Sequence, residues 1–448
     1  MTFTQLRALV LAACCAFIAP FAMSQSSSAV SGTASDMPHV AWSRQSSIYQ
    51  VNVRQHTPEG TLKAFARDLP RIRKLGVDIL WFMPLQPIGK QERKGGLGSY
   101  YSISDYTAVN PEFGTLDDAK AMVKAAHELG FKVILDWVPN HTAWDHPWTR
   151  QHKDWYKLND KGEIFPVTFT EGAEPEYWTD VVALDYRSEP LRKAMIEAMS
   201  FWLQQVGMDG FRCDVASLVP SDFWERARRE LDAIKPVFML AESDKPELHR
   251  SAFDMSYSWD LADVFKAVGK GQAGAAEMRA WLTAQNEGTA PKVYPRHAYR
   301  MRFTSNHDFN SWHGTDRELY GEAYQALAVL TFTLPGMPLI YGGQESRLDK
   351  RLAFFEKDLV DWKGYELQAF YAELVALKKN NPALANGQYG APAELLETGN
   401  DKVFAFRRQL GGNVVTVAVN LSAADQSYLL DGAAAKLAPW GWSIRTRH

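Results

Sequence analysis

Four segments place acidic side chains where they could act on one bond: Asp136-Trp-Val-Pro-Asn-His141, Gly210-Phe-Arg-Cys-Asp-Val215, Leu240-Ala-Glu242 and Phe303-Thr-Ser-Asn-His-Asp308. Each closes an apolar, strand-like run. The strands of a parallel barrel all end at one face, so carboxylates far apart in the chain can meet there. Two carboxyl groups flanking a sugar linkage are the minimum equipment for glycoside hydrolysis. One must stay ionised, and the other must hold a proton near neutral pH. Arg212 and Asp214 alternate on one strand, so they share a face. A fixed positive charge beside Asp214 favours its ionised form. Cys213 then points the other way, toward a helix layer, as a buried structural thiol.

The elements that must position these groups alternate along the chain. Strand-like runs occur at Ser47–Val53, Val77–Met83, Phe131–Asp136, Gly210–Asp214, Val237–Leu240, Met255–Trp259, Tyr299–Phe303 and Met337–Tyr341. Helical spacing appears at Thr61–Leu75, Leu116–Leu129, Leu191–Val206, Phe223–Ile234 and Tyr320–Leu334. This alternation predicts an α/β fold, a (β/α)8 TIM barrel over residues 47–379. Between His141 and Tyr186 lies a stretch rich in Trp, Pro, Asp and Glu with little periodicity. So long a connection at the catalytic face is expected to be functional, and residues 142–185 are read as an inserted loop domain walling a cleft. Trp144 and Trp148 are candidate sugar platforms in it; the plainer reading is that they pack the loop. After about Asn380 the texture changes to Val403–Phe406, Val414–Val419 and Tyr428–Leu430, separated by turn residues. Residues 380–448 are therefore read as an antiparallel β-sandwich.

The start of the chain is not read as fold. A weakly positive head to Arg7 precedes an apolar run from Ala8 to Met23, and a Ser/Ala-rich stretch follows. This predicts a secretory signal over residues 1–24 and a flexible leader over 25–46, hence a secreted or periplasmic protein. Leu11-Ala-Ala-Cys14 also fits a lipoprotein processing site, ranked second. No later run is long and apolar enough to span a bilayer. A formal net charge of -3 and the lack of any basic stripe give no support to nucleic-acid binding. With Cys14 and Cys15 in the signal, Cys213 has no partner for a disulfide. The 15 Trp and 17 Tyr suit sugar binding, since flat rings match pyranose faces, although large barrels also use aromatics as filler.

Taken in order, these segments resemble the α-amylase family, glycoside hydrolase family 13. Supporting matches are Tyr101-Ser-Ile-Ser-Asp-Tyr106, Asn110-Pro-Glu-Phe-Gly-Thr115, Gly76 to Pro84 and Gly336-Met-Pro-Leu-Ile-Tyr-Gly-Gly-Gln-Glu345. The resemblance implies Asp214 as nucleophile, Glu242 as acid and then base, and Asp308 as stabiliser of the transition state. It implies that His141 and His307 bind sugar hydroxyls and that Tyr101 stacks on the sugar, with Arg212 beside Asp214 and Asp136 organising the site from beneath. The implied activity is retaining cleavage of α-1,4 bonds in starch or maltodextrins. An exo-acting α-glucosidase or maltodextrinase, a transglycosylase, and a binding-only relative are the alternatives. The expected partner is an α-glucan oligosaccharide or polysaccharide, bound by a monomer, with no cofactor required. The resemblance suggests Asn140 and Asp185 for a structural calcium ion, but two ligands fall short of the six to eight oxygens calcium takes, and no metal site is assigned. His141 and His146 likewise lack the further ligands a zinc site needs.

Overall fold

A computed structural model describes residues 37–170 and 175–448. The predicted signal, Cys14, Cys15 and the leader as far as residue 36 lie outside the described residues; residues 37–46, expected to be flexible leader, are instead packed on the barrel, with a short helical turn at Ala41–Ser43 and buried His39 Nδ1 2.6 Å from Asp254 Oδ1. Eight parallel strands close into a barrel in sequential order: Ile48–Val51, Ile79–Phe82, Lys132–Trp137, Gly210–Cys213, Phe238–Ala241, Met255–Tyr257, Tyr299–Arg302 and Met337–Tyr341. Closure comes from the last strand pairing with the first, with Ile48 beside Leu339. All eight fall on the runs expected from sequence, the third and fifth each ending one residue later, at Trp137 and Ala241. They are legible because strands buried on both faces read as near-continuous apolar runs. The fourth and fifth strands approach so closely at Gly210 that a Cβ there would lie 1.9 Å from the Phe238 carbonyl oxygen.

Helices cover the barrel, and one departs from expectation. The run Thr61–Leu75 is not one helix but two, Leu62–Ala66 and Leu69–Leu75. Pro70 is the cause: it lacks an N–H, and its ring excludes the preceding turn's carbonyl, so it is tolerated only in a helix's first turn. The helix Glu189–Phe201 continues as a wider turn through Trp202–Val206.

The connection after the third strand has regular structure of its own. His141–Ala143, Pro166–Phe169 and Glu176–Ala183 form a three-stranded antiparallel sheet. Its small core of Val167, Val181 and Ala183 packs against Trp178. Near the C-terminus, strands Val403–Leu410, Asn413–Asn420 and Trp442–Arg447, with short Glu394–Leu395, make a four-stranded sheet. Alternation sorts its side chains. Phe404, Phe406, Val415, Val417 and Val419 join the barrel's core, while Val403, Ala405 and Ala418 pack on Tyr428, Leu430 and Leu437 of the pair Gln426–Leu430 and Ala433–Leu437. Among the described residues, no helix is long and apolar enough to cross a membrane.

Candidate active site

Arg212 is the organising residue. The fourth strand delivers it into the barrel mouth with no exposed surface. Its Nη1 donates to Asp136 Oδ1 at 2.8 Å and to Asp214 Oδ1 at 2.9 Å. Its Nη2 lies 2.7 Å from Glu242 Oε1, an ion-pair distance without hydrogen-bond alignment. Its Nε donates to Tyr257 at 3.3 Å, and the rings of Trp81 and Tyr101 lie against the guanidinium at 5.3 and 5.7 Å. A buried cation needs such pairing to offset its lost hydration. Asp214 and Glu242, from adjacent strands, thus sit beside one guanidinium.

Burial dominates the titration of this cluster. It pushes Asp214 up to about 7, with Arg212 pulling the other way. The sequence expectation had the right sign for Arg212 but missed the larger effect, because burial of a carboxylate cannot be read from its neighbours in the chain. Glu242 also rises to about 7, through burial and then the Asp214 charge, against the pull of Arg212. Asp308 rises to about 7 through burial and the Glu242 charge. Asp136, wholly buried, rises to about 7 by the same burial. Carboxyl groups this near one another cannot all ionise, so the cleft retains protons at neutral pH.

A second network holds the sugar-facing side chains. Gln50 Oε1 accepts from the His307 backbone N–H at 3.2 Å, which orients the amide so that its Nε2 donates to His307 Nδ1 at 2.7 Å. His307 Nε2 therefore carries the proton and donates to the Tyr101 hydroxyl at 2.7 Å, which donates to Asp136 Oδ2 at 3.0 Å. Trp81 donates to the same Asp136 oxygen at 3.1 Å. Burial drives the pKa of His307 down well below its ordinary value and that of His141 to about 4, so both are neutral.

Backbone strain marks the turn between the catalytic strands. Val215, directly after Asp214, has φ 36°. A β-branched residue rarely adopts that left-handed conformation, and such outliers cluster at functional sites. The turn aims the Val215 N–H at Glu242 Oε2, at 2.7 Å.

These groups line a cleft of about 740 Å3. Tyr101, His141, Asp214, Glu242, His307 and Asp308 all face it, while Arg212 and Asp136 lie beneath. The expected platforms do not. Trp148 packs on Tyr106, His146 and Trp155, and Trp144 donates to the Thr179 carbonyl at 2.9 Å. The cleft's indole rings are instead Trp178, stacked on Phe169 at 5.4 Å, and the half-exposed Trp312, against Phe354 at 5.3 Å. Neither was singled out from sequence. A signal existed for Gln50, a polar residue inside the apolar run Ile48-Tyr-Gln-Val51; none marked Trp178 above its neighbours. Lys94 and Asp180, also in the wall, pair at 3.1 Å and so join the loop after the second strand to the inserted sheet.

The pair Asn140 and Asp185 does not fit a calcium ion. Both Asp185 oxygens accept from Arg187 Nε, at 3.0 and 2.9 Å, and the Asn140 amide bonds His141 at 3.2 Å. Among the described residues no group of three or more His, Cys, Asp or Glu side chains is placed to hold a metal.

A closed parallel barrel with carboxylates at the C-terminal ends of its fourth, fifth and seventh strands defines a barrel of the glycosidase type. Residues 21–383 match the family model of the alpha-amylase catalytic domain, and the chain belongs to that family. It is 30% identical over 399 residues to an alpha-amylase of Haloarcula japonica, covering 85% of this chain and 56% of that protein. It is 28% identical over 398 residues to an alpha-1,4-glucan:maltose-1-phosphate maltosyltransferase of Rhodospirillum rubrum, covering 81% of this chain and 54% of that protein. The chain thus spans little more than half the length of these relatives. Among solved structures it resembles an alpha-amylase from Lactobacillus plantarum, with TM-score 0.79 and 30% identity, covering 90% of this chain and 99% of that one.

Proposed function

We propose that this protein is a retaining glycoside hydrolase that cleaves α-1,4 bonds of starch or maltodextrins. The observation that carries the reading is the placement of Asp214 and Glu242 on one guanidinium with Asp308 in the same cleft. Retention needs two carboxyl groups too close together for a water molecule to attack between them. Asp214 attacks the anomeric carbon once its proton passes to Glu242. Glu242 then protonates the leaving oxygen, and afterwards takes a proton from the water that releases the sugar. Asp308 and the neutral His141 bind hydroxyls of the distorted ring, Tyr101 covers its face, and His307, with its ring nitrogens on Gln50 and Tyr101, holds Tyr101 in place. Arg212 keeps the negative charge on Asp214 affordable in a buried site.

Hydrolysis and transfer share this machinery and differ in whether water or a sugar hydroxyl meets the intermediate. A product-length time course on maltoheptaose and soluble starch tests the reading. Reducing sugar should form with wild-type protein and be lost in Asp214→Asn. A well-folded wild-type protein releasing none, and transferring none, would make it a binder instead.

We also propose export. The support is the apolar run Ala8–Met23 behind a weakly positive head. Amino-terminal sequencing of the mature protein tests it: a start near Ser24 is expected, and retention of Met1 would contradict it.

A further inference from the structure

A second cavity, of about 210 Å3, lies on the barrel's flank, away from the cleft. Arg300 and Arg302 alternate on the seventh strand and so point to the same side, toward the helix layer. Trp281, from the helix Ala275–Glu287, covers the Arg302 guanidinium at 5.1 Å, and Tyr294 covers that of Arg300 at 3.7 Å. Lys292 and Arg296, both exposed, complete the lining with positive charge.

The charges here do not balance. Asp260 lies 3.6 Å from Arg300, and Asp244 pairs with Lys292. Among the described residues, four lining cations face two carboxylates, an excess of two positive charges. Arg302 is 4% exposed; its Nε donates to the Pro335 carbonyl, and its buried Nη1 has no hydrogen-bond partner among the described residues. Behind it the imbalance continues. Among the described residues, buried Arg408 donates to the carbonyls of Ala391, Thr333, Leu334 and Ala385, and buried Lys378 to those of Gly336 and Leu384, with no carboxylate on either. Burial lowers the pKa of Arg300, brings Arg302 to about 10 and Arg408 to about 9, and pulls Lys378 well down. Proteins seldom bury several cations without anions, because each pays for lost hydration. Gly336 lets the backbone lie against Arg302, since a Cβ there would sit 2.9 Å from its Nε.

We propose that this cavity binds a phosphate dianion, free or as the terminal group of a sugar phosphate, with Arg300 and Arg302 as its buried anchors and Lys292 and Arg296 at its mouth. A dianion cancels the unmatched charge. Guanidinium groups favour tetrahedral oxyanions, although Arg300 Nη1 already donates to Ser256 Oγ and the Arg302 Nη1 atom is itself buried. Trp281 and Tyr294 offer faces for an attached sugar. The site stands independently of the cleft's assignment.

Calorimetric titration of the full chain with inorganic phosphate and with glucose 1-phosphate, at constant ionic strength in chloride, tests this. Saturable binding at one site per chain is expected. Binding should weaken at least tenfold in Arg302→Met and several-fold in the surface double variant Lys292→Ala/Arg296→Ala, which keeps the test valid should Arg302→Met fail to fold. It should be unchanged in Glu242→Gln. Tighter binding of glucose 1-phosphate would assign the sugar phosphate; equal binding would assign the free ion. No saturable binding, or binding untouched by the mouth variant, or binding lost in Glu242→Gln, would overturn the proposal.

Discussion

Arg212 meets three carboxylates with one charge, and the protein's titration follows from that shortage. Removing the cation takes away the main force lowering the pKa of Asp214. In Arg212→Ala, which removes that charge, the acidic limb of kcat/KM should therefore move to higher pH. A pH–rate profile checks this, and an unmoved limb would remove Arg212 from that role. Glu242→Gln should lower kcat by about 10²–10⁴-fold on starch, the usual worth of a general acid. The loss should be much smaller on an aryl maltoside, whose leaving group needs no proton. Equal losses on both substrates would argue against the assignment. At this scale the acidic residues and Arg212 were legible because each sits in a short motif at a strand end. Trp178 and Trp312 were not, since what makes them cleft residues is where the inserted sheet and the turn after Asp308 bring them.

Between elements, the tightest constraint is the contact at Gly210. Any side chain there collides with the Phe238 carbonyl in the neighbouring strand. Gly210→Ala should push the fourth and fifth strands apart and lower the melting temperature sharply, since destabilisation above about 4 kcal/mol comes from backbone and packing conflicts of this kind. Thermal unfolding measures it; a wild-type melting temperature would mean the strands can separate at little cost. The Lys94–Asp180 pair acts more gently, tying two walls of the cleft. Lys94→Met should raise KM for maltoheptaose with little change in kcat. Most strands were readable because burial on both faces gives near-continuous apolar runs, interrupted only by functional or structural polar residues such as Gln50, Arg212, Arg300 and Arg302. The connection after the third strand was not. Its sheet is short and half-exposed, so alternation is diluted by polar residues such as Glu176 and Thr179. Ala433–Leu437 was missed for a related reason, as exposed alanines carry no strand signal.

For the molecule as a whole, two groups of carboxylates set opposing pH trends. Asp136, Asp214, Glu242 and Asp308 have raised pKa values, near 7, so the folded state holds their protons more tightly than the unfolded chain does. Their contribution is favourable below about pH 4 and is lost as pH rises toward 7. Asp68, Asp209 and Asp254 have lowered values, all despite burial, through partners such as His56, His127 and Arg228. Their contribution is present above about pH 4 and is lost as pH falls below it. Stability should therefore peak in mildly acidic solution. Asp308→Asn should flatten the decline between pH 5 and 8 while leaving the acid side unchanged, which melting curves across that range can check. All of this rests on Asp214 being the group that bonds to sugar. Incubating Glu242→Gln with a 5-fluoro glycosyl fluoride and mapping the product by peptide mass spectrometry tests that claim most directly: the account predicts one glycosyl adduct on the peptide carrying Asp214, and an adduct on Asp308 or on no residue at all would contradict it.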